Sequence, residues 1–248
     1  NVFLITNPES DLTLLSSDEI KTLFIPCKPE NKSFLSFLKS VIAINKFVKE
    51  NKVEIVNTHH RYSEFISICV RYIYDMNFKI STTVHSFTKD LKTISYKADK
   101  LIAVSYFIQN HLIRYYGKSD SSVDVIYNGV EEEFDFHLDQ KNDEKYILGL
   151  GRLCHEKGFD VLIQALIYIK EKITLPKLIL VGEGSEEKKL SSLAEQNNIR
   201  VEFLKINSTP WEVIKNSLFV IVPSREESLG LVILEAGLMG KAVIASNI

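Results

Sequence analysis

The sequence predicts an α/β protein made of two doubly wound parallel sheets, each in its own domain. Short apolar runs alternate with longer segments of helical period along the whole chain. Most of these runs lack polar alternation, which is typical of parallel strands covered on both faces. The 248 residues also exceed the size of one typical domain. An acid-rich stretch with a turn signal divides the chain near its middle, so two domains are expected.

Eleven apolar runs are strand candidates, at residues 2–5, 22–25, 53–57, 79–84, 101–104, 123–127, 145–150, 177–182, 200–204, 218–222 and 242–245. The clearest helix candidates are 33–50 and 157–170, in which apolar residues recur every three or four positions. This alternation of strands and helices predicts right-handed βαβ crossovers.

The domain boundary is predicted within 128–144, where the turn signal Asn128-Gly129 precedes an acid-rich run. The expected domains are 1–140 and 141–248. Doubly wound sheets bind ligands at the carboxyl ends of their strands, and a cleft between two such domains is a natural substrate site.

Both ends of the chain suggest a truncated protein. The sequence begins at Asn1 rather than Met and enters an apolar run almost at once. It stops at Ile248, directly after the last strand candidate, where a closing helix would be expected.

Composition narrows the class of protein. Apolar residues make up 45% of the chain and charged residues 25%, which is typical of a globular protein, and the net charge of −2 disfavours a nucleic-acid partner. The cysteines Cys27, Cys69 and Cys154 show no metal-ligand spacing, which favours a reducing, cytoplasmic location. No apolar run reaches the roughly 18 residues that span a bilayer, but a peripheral contact with the inner face of the membrane stays open.

The segment 149–158 carries the first motif of chemical interest. A strand ends in glycines at Gly149 and Gly151, and two cations, Arg152 and Lys157, follow before a predicted helix. Glycines let the backbone approach a ligand closely, and the two cations suit a phosphate or diphosphate. The alternative is an ordinary βα turn with solvated cations.

The second motif is the loop and helix over residues 223–236. The backbone N–H groups of Ser228 to Leu231 stand at a predicted helix start near Gly230, which suits an anion. Glu227 and Glu235 frame this site, and carboxylates accept hydrogen bonds from sugar hydroxyls. Glu235 lies on an apolar helix face where an unpaired charge is costly, so its alternative is a pairing with a buried cation.

These motifs, with Val181-Gly182-Glu183-Gly184 between them, resemble the nucleotide-binding half of the retaining GT-B glycosyltransferases of family 4, also called group 1. The family pattern has a Lys five residues after an Arg, then Val-Gly-x-Gly, then two Glu residues separated by seven others. The first half resembles the acceptor domain of that family more loosely. Its segments 55–59 and 83–85 resemble strands that end in the histidines His59 and His85.

The resemblance implies a GT-B fold and a role for each matching residue. Arg152 and Lys157 would bind the donor diphosphate and stabilise its departure. Glu227 would hold hydroxyls of the transferred sugar, and Glu235 those of the ribose. His85 would lie over the sugar. The other donor-binding positions that the resemblance implies are Gly151, Gly182, Gly184, Ser228, Leu229, Gly230 and Leu231.

The resemblance further implies sugar transfer with retention, from a nucleotide-diphosphate sugar (UDP or GDP) to a glycan, lipid-linked or other acceptor. It implies no cofactor and no metal, because the cations replace a metal at the diphosphate. The chain departs from the family at Ser228-Leu229-Gly230, where Gly-Phe-Gly is usual, and the family's first strand would precede Asn1. The alternatives are a nucleotide-sugar epimerase of the same fold and an inactive partner subunit of a transferase.

Two other sequence patterns could indicate a metal site and a membrane contact, but each also has an ordinary structural interpretation. The histidines His59, His60 and His155 lack the spacing of metal ligands and are read as polar residues at strand ends and loops. The basic and aromatic segment 106–118 could lie at a membrane interface, but such a stripe more often packs against a core.

Overall fold

The chain forms two compact units, Asn1–Tyr127 and Asn128–Ile248. The computed structural model describes residues 2–7, 20–25, 33–130, 145–205 and 210–248. The boundary predicted at 140/141 and the acid-rich run 131–144 lie outside the described residues.

Six strands and three helices make up the described part of the first unit. In chain order they are β1 (Phe3–Thr6), β2 (Lys21–Phe24), α1 (Phe34–Asn51), β3 (Ile55–Thr58), α2 (Arg61–Ile73), β4 (Lys79–Val84), β5 (Lys100–Ala103), α3 (Tyr106–Arg114) and β6 (Val123–Val125). Strands β3, β4, β5 and β6 form one parallel sheet in that order, and β1 pairs with β2 in parallel. Helical crossovers between parallel strands are what the sequence pattern predicts.

Helix α1 shows how local sequence sets an element of this unit. Ser33 caps its start, with Oγ accepting a hydrogen bond from the N–H of Ser36 at 3.1 Å. Lys52 ends it in the left-handed conformation. The apolar face of the helix joins a core cluster together with residues from β1, β2, α2, β3 and β4. Strands β1 and β2 therefore share the core on which α1 and the larger sheet depend.

A buried carboxylate anchors the segment that follows β4. Glu64 of α2 is 1% exposed, and its two oxygens accept hydrogen bonds from the N–H groups of Tyr96 and Ala98, both at 2.8 Å. Burial raises the pKa of this carboxyl, although the bonds from these amides act in the opposite direction. Glu64 thus fixes the path of the chain from β4 to β5.

The substitution Glu64→Gln is expected to lower the Tm by about 5–10 °C, because the new NH₂ group must face one of the two N–H donors and leave it unsatisfied, at about 2 kcal/mol. Thermal unfolding followed by circular dichroism measures this. Glu54→Gln, at an exposed position of the same unit, is the control and should leave the Tm unchanged. Equal melting of the two variants would contradict the anchoring role.

The second unit holds five strands and four helices in its described part. They are β7 (Tyr146–Leu150), α4 (Phe159–Ile169), β8 (Lys177–Val181), α5 (Glu187–Gln196), β9 (Val201–Leu204), α6 (Trp211–Asn216), β10 (Phe219–Val222), α7 (Leu231–Leu238) and β11 (Val243–Ala245). They form one parallel sheet in the order β11-β10-β7-β8-β9.

The order of this sheet creates a switch point between β7 and β10. From β7 the chain moves outward through β8 to β9, then returns through α6 and continues on the other side as β10 and β11. Helices α4 and α5 pack on one face of the sheet, and α6 and α7 pack on the other. The unit is therefore doubly wound, and a ligand is expected where the strand order reverses.

The predicted fold class is confirmed, and each of the eleven strand candidates overlaps a strand. The predicted helix start near Lys157 is wrong by two residues: 155–157 form a 3-10 turn, Gly158 is left-handed, and α4 begins at Phe159. In α3, Ile108 and Leu112 are fully buried whereas Tyr106 and Phe107 are exposed, so the predicted core-packing face covers one side only.

Membrane-spanning helices, free cysteines and metal sites can be assessed for the described residues. Within these ranges, no helix is long and apolar enough to cross a membrane. Cys69 and Cys154 are free thiols, and Cys27 lies outside the described residues. Among the described side chains, no group of three His, Cys, Asp or Glu could hold a metal ion.

Candidate functional site

An ion pair joins the loops that follow β7 and β10, at the switch point of the second unit. Lys157 Nζ lies 2.6 Å from Glu227 Oε2, and both side chains are 21% exposed. The two residues are 70 positions apart in sequence. The topology brings them together, because the carboxyl ends of adjacent parallel strands meet at one edge of the sheet.

One carboxylate oxygen of Glu227 accepts hydrogen bonds from other residues of the protein, and the other oxygen is available to a ligand. Oε2 accepts from Lys157 and, at 3.1 Å, from the hydroxyl of the buried residue Ser224. No described residue donates a hydrogen bond to Oε1. A carboxylate held through one oxygen can accept a hydroxyl of a ligand through the other.

A second contact fixes the loop after β10 against the turn after β7. Arg225 forms a bidentate pair with Asp160 of α4, with both N···O distances 2.7 Å, and its backbone N–H donates to the carbonyl of Glu156 at 2.7 Å. The hydrogen bond from Arg225 lowers the pKa of Asp160. This pair was not predicted from the sequence, because 65 residues separate its members and no local pattern indicates it.

Glycines allow the turns after β7 and β8 to touch. A Cβ at Gly182, whose φ is 141°, would lie 2.0 Å from the carbonyl oxygen of Gly151. The N–H of Leu153 donates to the carbonyl of Glu183 at 2.8 Å, and a Cβ at Gly184 would lie 2.2 Å from the carbonyl of Leu153. The two turns thus form one backbone surface with no space for side chains between them.

Arg152 and Lys157 differ in their surroundings. The side chain of Lys157 passes over Gly151, with its carbons 3.6–3.9 Å from the position of a Cβ there, and ends at Glu227. Arg152 is exposed, and no described side chain forms an ion pair with it. Arg152 is therefore a cation available to an external anion.

The start of α7 presents backbone donors near Glu227. Gly230 adopts the left-handed conformation and precedes the helix, and a Cβ placed on it would lie 3.5 Å from Cγ of Glu227. In the described part of the chain, the N–H groups of Leu229, Gly230 and Leu231 donate to no backbone carbonyl. Ser228 does have a partner, unlike these three. Such N–H groups at a helix start favour an anion.

Glu235 lies one turn into α7, half-buried, and burial raises its pKa. Within the described ranges no cation pairs with its carboxylate, so these residues do not support the pairing with a buried cation. A carboxylate kept unpaired in a desolvated position costs stability and is more typical of a ligand-binding group than of a structural one.

Glu235→Gln is therefore expected to stabilise the protein, by about 1–3 °C in Tm at neutral pH. Because the folded-state pKa is raised, the folded chain binds more protons than the unfolded chain between the two pKa values, and stability falls as pH rises through that window. The gain should vanish at about pH 3, where the carboxyl is protonated in both states. Melting curves at both pH values, with Glu171→Gln as exposed control, test this; a lower Tm at neutral pH would contradict it.

In the first unit, His85 follows β4 directly and His59 follows β3. His59 Nδ1 and His85 Nε2 are 2.8 Å apart, and the amide of Asn57 lies 3.2 Å from the other nitrogen of His59. Partial burial of the ring, and then the charge of His59, lower the pKa of His85. His85 belongs to the first unit, whereas every other predicted site residue belongs to the second.

The structure thus brings several predicted residues together within the second unit. Contacts connect Lys157 with Glu227 and Gly151, and Gly151 with Gly182. Gly230 lies beside Glu227. Ser224, Arg225 and Asp160 are the members that sequence reasoning missed, although the Pro-Ser pair at 223–224 was a visible signal for the first.

Two family models together match the chain. One, described as Glycosyltransferase Family 4, matches residues 1–134, and the other, Glycosyl transferases group 1, matches residues 130–248. The chain belongs to glycosyltransferase family 4. The resemblance that rested on Arg152, Lys157, Glu227 and Glu235 is confirmed at the level of the family.

Curated relatives of this family-4 chain are distant. An uncharacterized glycosyltransferase of Methanocaldococcus jannaschii is 28% identical over 80% of this chain and 58% of its own length. An Escherichia coli UDP-Gal:alpha-D-GlcNAc-diphosphoundecaprenol alpha-1,3-galactosyltransferase is 26% identical, over 100% of this chain and 72% of its own. The chain thus spans little more than half of the first of these relatives.

Solved glycosyltransferase structures share the fold. The crystal structure of Anabaena HepE in complex with UDP and glucose matches with a TM-score of 0.79 at 19% identity, over 100% of this chain and 81% of that one. At this identity the likeness shows the fold alone, which is the GT-B type with Rossmann-like α/β units.

Proposed function

We propose that the protein is a retaining glycosyltransferase that transfers a sugar from a nucleotide-diphosphate sugar to a glycan or lipid-linked acceptor. The donor is a UDP- or GDP-sugar, and neither a metal nor a cofactor takes part. Family membership supports the enzyme class, and the donor, the acceptor and the retention of configuration are parts of the proposal.

One observation carries the proposal: cation, carboxylate and free backbone donors converge at the switch point between β7 and β10. Lys157 and Glu227 meet there at 2.6 Å, and the N–H groups that precede α7 lie beside Glu227. This combination suits a ligand with a negative diphosphate and a neutral polyhydroxyl part. A nucleotide sugar has both.

Each group has a role in the proposed reaction. Arg152 and Lys157 neutralise the diphosphate as its bond to the anomeric carbon breaks, and so stabilise the leaving group. Glu227 holds sugar hydroxyls through Oε1, Glu235 holds the ribose, and His85 lies over the sugar. The acceptor oxygen bonds to the anomeric carbon on the face that the phosphate leaves, and the acceptor proton passes to the departing phosphate oxygen.

A lipid-linked acceptor would bring the first unit to a membrane surface. We propose that the protein is cytoplasmic and that this contact is a peripheral one with the inner face of the membrane. Helix α1 carries an exposed apolar stripe formed by Leu35, Leu38 and Ile42, with the exposed lysines Lys39 and Lys46 beside it. This composition suits an anionic lipid surface.

The first experiment is a calorimetric and thermal-shift panel of UDP, GDP, ADP and their sugars against the full-length protein, with no metal added. Micromolar binding of one nucleotide is expected. Acceptor-dependent release of the nucleoside diphosphate then distinguishes a transferase from an epimerase, which needs no acceptor. A folded protein that binds none of these ligands would sink the proposal and favour the inactive partner subunit.

A further inference from the structure

Polar side chains collect at the carboxyl ends of β3 and β4, on one face of the sheet of the first unit: Asn57, His59, Thr83 and His85. They alternate with Thr58 and Thr82, which point to the opposite face, are buried, and hydrogen-bond to each other at 2.8 Å. The other face therefore carries a polar cluster that includes His85.

The two imidazole rings of this cluster meet edge to edge. Their centroids are 5.1 Å apart and their planes are 19° from parallel, while Nδ1 of His59 and Nε2 of His85 are 2.8 Å apart. With the two nitrogens 2.8 Å apart, the ring centres can be as far apart as 5.1 Å only if both nitrogens lie close to the line that joins the centres. The rings are thus nearly coplanar, and their hydrogen bond is close to linear.

The remaining bonds define which nitrogen carries each proton. The hydroxyl of Thr83 donates to Oδ1 of Asn57 at 3.3 Å, and Nδ2 of Asn57 donates to Nε2 of His59 at 3.2 Å. Since Nε2 accepts, the proton of neutral His59 is on Nδ1, from which it donates to His85. His85 accepts at Nε2 and therefore holds its own proton on Nδ1.

We propose that Thr83, Asn57 and His59 are positioning residues that fix His85 in its Nδ1–H tautomer, so that His85 offers one hydrogen-bond donor in a defined direction. The inference rests on the proposed function in one respect: the partner of that donor is a hydroxyl of the bound sugar or acceptor. The tautomer itself does not depend on the proposed function.

The orientation of the Asn57 amide controls the whole chain of bonds. If this amide rotated by half a turn, every bond would reverse, and both ring protons would move to Nε2. Among the described residues, only His59 hydrogen-bonds to the ring of His85. No other described group can therefore hold the tautomer of an exposed imidazole.

The test is the substitution Asn57→Asp, because a carboxylate only accepts. At about pH 9, where imidazoles are neutral, Asp at 57 would require Nε2–H on His59, and His85 would then donate from Nε2. Two-bond ¹H–¹⁵N correlation spectra of the whole chain distinguish the two tautomers without any ligand. We expect Nδ1–H on His85 in the natural protein and Nε2–H in the variant.

A second variant, Thr83→Val, keeps the shape of the side chain and removes the hydroxyl that orients the amide. It should give a mixture of tautomers at both histidines. Asn110→Asp, which adds the same charge at an exposed position of α3, is the control and should leave the tautomers unchanged. The proposal is overturned if His85 in the natural protein is the Nε2–H tautomer, or if it is the same in Asn57→Asp as in the control.

Turnover at the same pH, with the sugar donor identified by the nucleotide panel, tests the positioning role separately. Loss of a directed hydrogen bond should lower kcat about 10- to 100-fold in Asn57→Asp with little change in KM for the donor. A shifted tautomer with unchanged kcat would refute the positioning role of Thr83, Asn57 and His59 and leave the glycosyltransferase proposal intact. Absence of transfer in the natural protein would instead refute the proposed function and leave the tautomer result standing.

Discussion

Replacing both Arg152 and Lys157 by alanine is expected to lower kcat of the full-length enzyme by about 1,000- to 10,000-fold, since removal of one charge-stabilising donor typically costs 100- to 1,000-fold. In the proposed reaction both cations act on charge that develops as the diphosphate leaves, so their loss should raise the barrier more than it weakens binding of the donor sugar. Steady-state kinetics with the donor from the nucleotide panel measure the effect.

The control for this variant is Lys145→Ala with Lys172→Ala, which removes two exposed positive charges from the same unit, one before the amino end of β7 and one after α4, at the opposite edge of the sheet from the switch point. Single variants separate the two residues further. Arg152 is exposed and forms no ion pair with a described residue, so Arg152→Ala should leave the Tm unchanged. Equal kcat values in the double variant and its control would refute the roles proposed for both cations.

The substitution Gly158→Ala is expected to destabilise the second unit by about 2–4 kcal/mol, the combined cost of overpacking and of a left-handed alanine. The φ of Gly158 is 66°, and a Cβ there would lie 2.0 Å from the carbonyl oxygen of Pro223. Because a backbone group cannot turn aside as a flexible side chain can, the loop after β10 must move. Lys157 and Glu227 would then separate, so nucleotide affinity should fall as well.

Gly240→Ala is a matched control for this change. Gly240 has a φ of 63°, close to that of Gly158, but nothing lies within 4 Å of its Cβ position. It therefore carries the conformational cost alone, about 1 kcal/mol. Urea unfolding of both variants separates the two costs. If Gly158→Ala were no less stable than Gly240→Ala, the contact between the two loops would not be the tight one described.

Local pattern predicted the strands of the described residues and the two clearest helices, and the reasons are visible in particular elements. The run Tyr146–Leu150 reads as a strand buried on both faces, and it is the central strand of its sheet. The start of α4 was harder to predict, because Gly158 takes a left-handed conformation and lies too close to the carbonyl of Pro223, in the loop after β10, for a side chain to fit. The periodicity of apolar residues in a helix cannot show that a carbonyl from a distant loop, here that of Pro223, lies against the start of the helix.

The sequence also indicated the family and the chemical types in the candidate donor site. Arg152, Lys157, Glu227 and Glu235 were identified by their spacing within short motifs, and the family assignment they supported is confirmed. Their roles in binding and catalysis stay predictions.

Only the tertiary structure decided which of these residues share a site. The pairs Lys157–Glu227 and Arg225–Asp160 connect positions 70 and 65 residues apart, and the chain of bonds from Thr83 to His85 joins two strands. Hydrogen bonds of this kind depend on sheet order and register, which set the distance between strand ends to within a few tenths of an ångström. The sequence by itself determined the strands, the two clearest helices and the candidate site residues, and the packing of the sheets determined the partners of those residues.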